Sequence, residues 1–119
     1  MYNVVFYCCL CLIRHTSGQD NVDTEPYILC EDQDSPSIVC PTATFIKIKD
    51  AIYGRTDGSA CTDGDIISTS CILTVTTRVE QMCNYKQRCL PKASNDIYGD
   101  PCERIYKYLN VTYRCIKGT

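Results

Sequence analysis

The chain has 119 residues, 14 acidic and 12 basic side chains, a formal net charge of −2 and 11 cysteines. This length makes one domain, and the mild acidity excludes nucleic acid as its main partner, because phosphate binding needs a basic face. The single histidine, His15, sits beside the N-terminal apolar run, so Ser-His-Asp and Cys-His catalysis and histidine-based zinc sets are excluded from all that follows it.

Val4 to Ile13 is an unbroken apolar run, followed by small residues at Thr16-Ser17-Gly18. The run is too short to span a bilayer, which takes roughly 20 apolar residues, and suits a signal peptide over residues 1–18. Its n-region carries only the α-amino charge and Arg14 follows the run; the competing reading is a buried N-terminal strand. Cleavage would remove Cys8, Cys9 and Cys11 and leave eight cysteines, an even number as a fully paired framework requires. Both features predict a secreted, extracellular protein, since disulfides persist in oxidising compartments. No second apolar run and no lipid-anchor tail follow, so neither membrane insertion nor a membrane anchor is expected.

Residues 19–26 are acidic and polar and read as a flexible lead-in to one domain over 27–119. Tyr27–Cys30 and Ser37–Cys40 look like short strands around Asp32-Gln33-Asp34-Ser35-Pro36, which has turn chemistry. Thr44–Ile52 predicts a longer strand, and the Gly- and Asp-rich stretch from Gly54 to Asp65 an irregular loop. Residues 66–77, rich in Ile, Thr and Val, are ambiguous. Val75, Val79 and Met82 have helical spacing, and Thr77 with Glu80 fits a capping box, so a short helix is expected near 75–83. Cys89–Cys102 reads as a second long loop. Tyr106–Cys115 reads as the final strand, with Lys107, Leu109, Val111 and Tyr113 on one face and Tyr108, Asn110, Thr112 and Arg114 on the other.

The chemistry on offer is sparse. Paired CxxC spacing is absent, so the cysteines favour disulfides over zinc. Asp57, Asp63 and Asp65 lack the spacing of a calcium loop and suit turns. No carboxylate has an apolar setting that marks it as a glycosidase acid; no metal, no cofactor and no enzyme activity are expected. Asn110-Val111-Thr112 is an N-glycosylation acceptor. The basic residues are concentrated late: residues 19–82 carry 11 acids and 4 bases, residues 83–119 carry 3 acids and 7 bases.

Four strings carry a resemblance: Cys30-Glu31; Ala51-Ile52-Tyr53-Gly54-Arg55; Ala93 to Cys102 with its Tyr98-Gly99-Asp100-Pro101-Cys102 ending; and Lys107-Tyr108-Leu109 followed by Val111, Tyr113 and Cys115. In this order and spacing the chain resembles the galactose- and rhamnose-binding lectin domain of animal egg lectins, also found in latrophilin ectodomains. The resemblance implies a mainly β fold with one short helix: a compact antiparallel β-sandwich with long ordered loops and four disulfides. It implies the pairs Cys30–Cys61, Cys40–Cys115, Cys71–Cys102 and Cys83–Cys89. It implies metal-free binding of terminal galactose- or rhamnose-type glycans on cell surfaces by Glu31, Tyr53, Asp100 and Lys107, with the tyrosine ring against an apolar sugar face. It also implies that Lys107→Ala weakens sugar binding while sparing the fold. One departure stands out: Arg104 occupies the place of a glycine that lets the backbone approach the sugar, so Arg104 either blocks the pocket or contributes a guanidinium contact. The alternative reading is an interaction module of the same fold that has lost the sugar and binds an extracellular protein.

Overall fold

The computed structural model describes residues 26–118. The signal segment expected over 1–18, and the lead-in up to residue 25, lie outside the described residues. Six strands and two helices follow in order: β1 (Tyr27–Cys30), β2 (Ile38–Val39), β3 (Thr44–Arg55), β4 (Cys71–Thr74), α1 (Thr76–Cys83), β5 (Arg88–Cys89), α2 (Asn95–Tyr98) and β6 (Tyr108–Lys117). β1, β6, β3 and β4 form one antiparallel sheet in that order, and β2 pairs with β5 in a second, two-stranded sheet.

The long β3–β6 ladder organises the molecule. It runs from Thr44 opposite Lys117 to Gly54 opposite Tyr108, with a register shift between Ile48 and Asp50. One face of it carries Ile46, Ile48, Ala51, Tyr53, Leu109 and Val111, all buried. Onto this face pack α1, through Val79 and Cys83, and the β2–β5 ribbon, through Ile38 and Cys89. Each fully buried Val, Leu or Ile contributes about 1.5–3 kcal/mol by leaving water.

Helix α1 lies where the spacing of Val75, Val79 and Met82 placed it, but Thr77 and Glu80 form no capping box. The helix begins before Thr77, with Val75 at the N-cap and no side-chain cap. The start is fixed by β3 instead. Val75 N–H donates to the Ala51 carbonyl at 2.9 Å, and Ala51 N–H donates to Thr76 Oγ1 at 3.1 Å. Other differences from the sequence-based reading are of extent. β3 runs three residues beyond Ile52, β2 shrinks to two residues, and the ambiguous stretch 66–77 supplies edge strand β4 and the start of α1. The stretch 89–102 holds a second helix, α2, capped by Ser94, whose Oγ accepts from Asp96 N–H at 3.0 Å.

The four disulfides are Cys30–Cys61, Cys40–Cys115, Cys71–Cys102 and Cys83–Cys89, as the resemblance implied. Three close long loops, with sequence separations of 31, 75 and 31 residues, and long loops are where a cross-link most reduces the freedom of the unfolded chain. No helix among the described residues is long and apolar enough to cross a membrane.

Candidate functional site

The end of the ladder at Gly54 and Tyr108 is held together by Arg55, which is wholly buried. Its guanidinium donates to four backbone carbonyls: Nε to Tyr106 at 2.7 Å, Nη1 to Asp57 at 2.6 Å and Ala60 at 2.7 Å, and Nη2 to Cys61 at 2.6 Å. A planar fork with five donors suits this task better than a lysine ammonium. Arg55 also lies 5.1 Å from the ring centre of Tyr108, and the Tyr108 hydroxyl accepts from Thr56 N–H at 3.1 Å. This explains why Tyr108, on the face opposite the main core, is buried: the loop after β3 folds back over it. Gly54 is required beside Arg55, since a Cβ there would collide with the Cys71 carbonyl across the β3–β4 pairing.

The Arg55-bound loop presents Cys61, and its disulfide to Cys30 anchors the end of β1. The next residue, Glu31, meets Lys107. Glu31 N–H donates to the Lys107 carbonyl at 2.9 Å, Lys107 N–H donates to Glu31 Oε1 at 3.0 Å, and the ammonium lies 3.4 Å from the same oxygen. Lys107 Nζ is also 3.0 Å from Asp100 Oδ1 and donates to the Ile105 carbonyl at 2.8 Å and the Cys102 carbonyl at 3.4 Å. Asp100 is fixed in turn, because Oδ1 accepts from Cys102 N–H at 3.1 Å. The approach to it is set by Gly99, whose φ of 86° lies in the region that favours glycine. Lys107 is 2 % exposed, Glu31 13 % and Asp100 30 %. The outward surface of the cluster is therefore carboxylate, with the ammonium beneath.

Tyr53 forms the floor. It is buried, with its ring 5.0 Å from that of Tyr98 and its hydroxyl donating to Asn95 Oδ1 at 2.7 Å. Burial, and then the negative charges of Glu31, Asp32 and Asp100, push its phenol far above the ordinary tyrosine range, so it stays a neutral donor. A ring face open to stack on a sugar, the role expected for Tyr53, is not what this structure offers, because the ring is covered on both sides by core. Asn95 is the residue the sequence reading did not single out. With Oδ1 engaged by Tyr53, its amide N–H groups are its remaining donors. The signal was present in the string Ala93-Ser94-Asn95, where Ser94 starts a helix and directs Asn95 to the Tyr53 end of β3. A cleft of about 420 Å3 is lined by Asp32–Asp34, Lys92–Ser94, Asp96 and Ile97, and neither Asn95 nor the Lys107 cluster lines it.

Arg104 is exposed, with φ 70°, in the left-handed region that glycine adopts without strain. It stands between the disulfide-bonded Cys102 and Lys107, and no contact ties its side chain to Glu31, Asp100 or Lys107. Asn110 lies on the central strand β6, partly exposed, opposite Ile28 on one side and Ile52 on the other. The Asp57 carboxylate serves its own turn: it accepts from Ser59 N–H and Oγ, bonds that hold it below the usual carboxylate range. Among the described residues no group of His, Cys, Asp and Glu is placed to hold a metal ion.

A buried tyrosine, a lysine between two carboxylates and backbone-pinned loops thus meet at one end of the β3–β6 ladder. Residues 38–115 match the family model described as the D-galactoside/L-rhamnose binding SUEL lectin domain, and the chain belongs to that family. The family is one of non-enzymatic domains named for binding D-galactosides and L-rhamnose. The chain is 40 % identical over 92 residues to an L-rhamnose-binding lectin, ELEL-1, of Echinometra lucunter, covering 75 % of this chain and 88 % of that protein. It is 41 % identical over 91 residues to a D-galactoside-specific lectin of Heliocidaris crassispina, covering 73 % and 86 %. A rhamnose-binding lectin of Silurus asotus is 37 % identical over 98 residues, and there the chain spans only 31 % of the relative's length. Human adhesion G protein-coupled receptor L1 is 37 % identical over 81 residues, 5 % of that receptor.

Proposed function

We propose that the chain is a secreted lectin that binds a terminal rhamnose- or galactose-type residue at the Glu31–Asn95–Asp100–Lys107 cluster, without metal. The observation that carries this reading is the placement of Lys107 Nζ between Glu31 and Asp100, with the carboxylates outermost. Adjacent sugar hydroxyls are donors in a fixed pair, and two anchored carboxylates accept from such a pair with charge-assisted strength. The ammonium holds both carboxylates in place. Asn95 offers donors to a third hydroxyl, and Tyr53 acts from below by orienting Asn95. Relatives named as rhamnose- and galactoside-binding lectins support both sugars as ligands.

A glycan array with the oxidised chain tests this. Binding to terminal rhamnosides or galactosides, displaced by the free sugar, is the expected result; silence on all of them would remove the reading. One site per domain cannot bridge two cells, so agglutination would require an oligomer, whose linked sites raise avidity. Signal cleavage near residue 18 and glycan attachment at Asn110 belong to the same proposal, and a mass spectrum of the secreted chain reads both.

Arg104 favours a second reading. Where the resemblance leads one to expect glycine, the chain holds an exposed guanidinium in strained backbone at the site's edge. A domain of this kind could bind an extracellular protein instead. Binding of a cell-surface protein that free rhamnose and galactose fail to displace would support it.

A further inference from the structure

The four-stranded sheet turns one face to the core, and on its other face the side chains of neighbouring strands stand in rows. Cys30, Tyr108, Gly54 and Ile72 make one row. The loop after β3 folds over the middle of it, where Thr56 N–H donates to the Tyr108 hydroxyl. The next row is Ile28, Asn110, Ile52 and Thr74. Ile28 and Ile52 are partly exposed, and they stand outside the core cluster that takes in Leu29, Ala51, Tyr53, Leu109 and Val111.

The pairing pattern brings Ile28 close to Asn110. Glu31 N–H donates to the Lys107 carbonyl, so the hydrogen-bonded pairs of β1 and β6 fall at Leu29–Leu109 and Tyr27–Val111. Ile28–Asn110 is then the alternate kind of pair, whose Cα atoms lie about 4.5 Å apart and whose side chains are closer. Ile52 flanks Asn110 on the other side. Among the described residues no hydrogen bond holds the Asn110 carboxamide. Thr112, two residues on, shares the face with Asn110 and is also partly exposed. Both polar groups of the Asn110-Val111-Thr112 acceptor thus stand on the open face, with an isoleucine on each side of the asparagine.

We propose that the glycan at Asn110 is the outer layer of this sheet face, with its first N-acetylglucosamine lying over Ile28 and Ile52. The inference rests on the glycan attachment proposed above and not on the sugar specificity of the Lys107 cluster. In the attachment, Asn110 Nδ2 bonds to C1 of the sugar, the C1–O bond to a lipid-pyrophosphate donor breaks, and Nδ2 gives up one proton. The ring C–H groups and the N-acetyl methyl of that sugar are apolar, so laying them on the two isoleucines takes apolar surface out of water. Its hydroxyls stay in solvent. The occupant is fixed by position, because the acceptor sits in the middle of the row it would cover.

The test uses the chain secreted from cultured animal cells. The mass of the peptide that bears Asn110 reads occupancy, and an empty Asn110 overturns the inference through its premise. The occupied chain is trimmed by an endoglycosidase to a single N-acetylglucosamine. It is compared with Asn110→Gln and, should that variant not fold, with the parent sequence refolded from bacteria without any glycan. Methyl-resolved NMR should show contacts from the sugar to Ile28 and Ile52, with both methyl groups shifted from their positions in the sugar-free form and the core residues Ile46 and Ile48 unmoved. The trimmed chain should melt roughly 4 °C or more above the sugar-free form. An occupied Asn110 whose sugar leaves the Ile28 and Ile52 methyls and the melting temperature unchanged would overturn the proposal. Shifts at those methyls that follow chain concentration instead of the sugar would give the face to a second copy and overturn it equally. Failure to bind rhamnose or galactose would strike the Lys107 reading alone, since no arm of this test uses a free sugar.

Discussion

Glu31 and Lys107 are joined three times: Glu31 N–H donates to the Lys107 carbonyl at 2.9 Å, Lys107 N–H donates to Glu31 Oε1 at 3.0 Å, and the ammonium sits 3.4 Å from that oxygen. One side chain thus ties the end of β1 to the start of β6 and also positions the carboxylate of the site. Lys107 is a structural residue, which changes the expectation that Lys107→Ala would spare the fold. The alanine would leave the Glu31 and Asp100 carboxylates facing each other and the Ile105 carbonyl without its donor. Breaking a fully buried pair costs about 3–5 kcal/mol; with both carboxylates partly in water, about 2–3 kcal/mol is expected here. Urea unfolding of the oxidised variant measures it, and an unchanged midpoint would show that the ammonium holds nothing.

Arg55→Lys is predicted to destabilise the domain by about 3 kcal/mol or more. A lysine replaces a four-carbonyl fork by a point charge and leaves buried carbonyls unsatisfied, each costing about 1–3 kcal/mol. The loop 56–65 should then become the first site of proteolytic cutting. Limited proteolysis with mass readout checks this, and cutting elsewhere at parental rates would contradict it.

Reduction should unfold the domain. A native disulfide in a small secreted domain contributes about 2–5 kcal/mol, and several together exceed the roughly 5–15 kcal/mol that holds most domains folded. Near-ultraviolet dichroism that survives full reduction would refute this. Cys40–Cys115, with the largest separation of 75 residues, should be the most damaging single pair to remove.

Alkaline pH should unfold the protein through its buried phenols. Burial raises Tyr98 from 10.0 to about 12, and Tyr53 further still. A folded-state pKa above the unfolded value gives stability that is complete below pH 10 and is lost as pH climbs toward 12 and beyond. Phenolate absorbance should therefore rise in two stages, the second coinciding with loss of near-ultraviolet dichroism. A single ionisation step near pH 10 in a folded chain would contradict the burial of these two rings.

The strands with strong alternation or β-branched runs, β1, β3 and β6, were legible from the residues, because each packs one face on a continuous core. Helix α1 was legible from Val75, Val79 and Met82, but its cap was not, since the bonds that fix it come from Ala51, 25 residues away. Helix α2 is only four residues long and lies among Pro, Asn and Gly, so periodicity could not mark it. In the site, the motif strings pointed to Glu31, Tyr53, Asp100 and Lys107, and the fold gathers all four. What the strings could not tell was depth. Tyr53 and Lys107 lie below the surface, Arg55 spends its charge on backbone carbonyls, and Asn95 enters through a hydrogen bond to Tyr53. Burial of that kind depends on loop closure by disulfides, which no local pattern encodes.

The proposal makes the Lys107 cluster a monosaccharide site. An amide-resolved NMR titration of the oxidised chain with L-rhamnose, and in parallel with D-galactose, tests it most directly. Saturable shifts at Glu31, Asn95, Asp100, Cys102 and Lys107, lost in Asp100→Asn while the rest of the spectrum is kept, are the predicted result. No saturable shift at these amides with either sugar up to its solubility, or shifts that map to another surface, would contradict it.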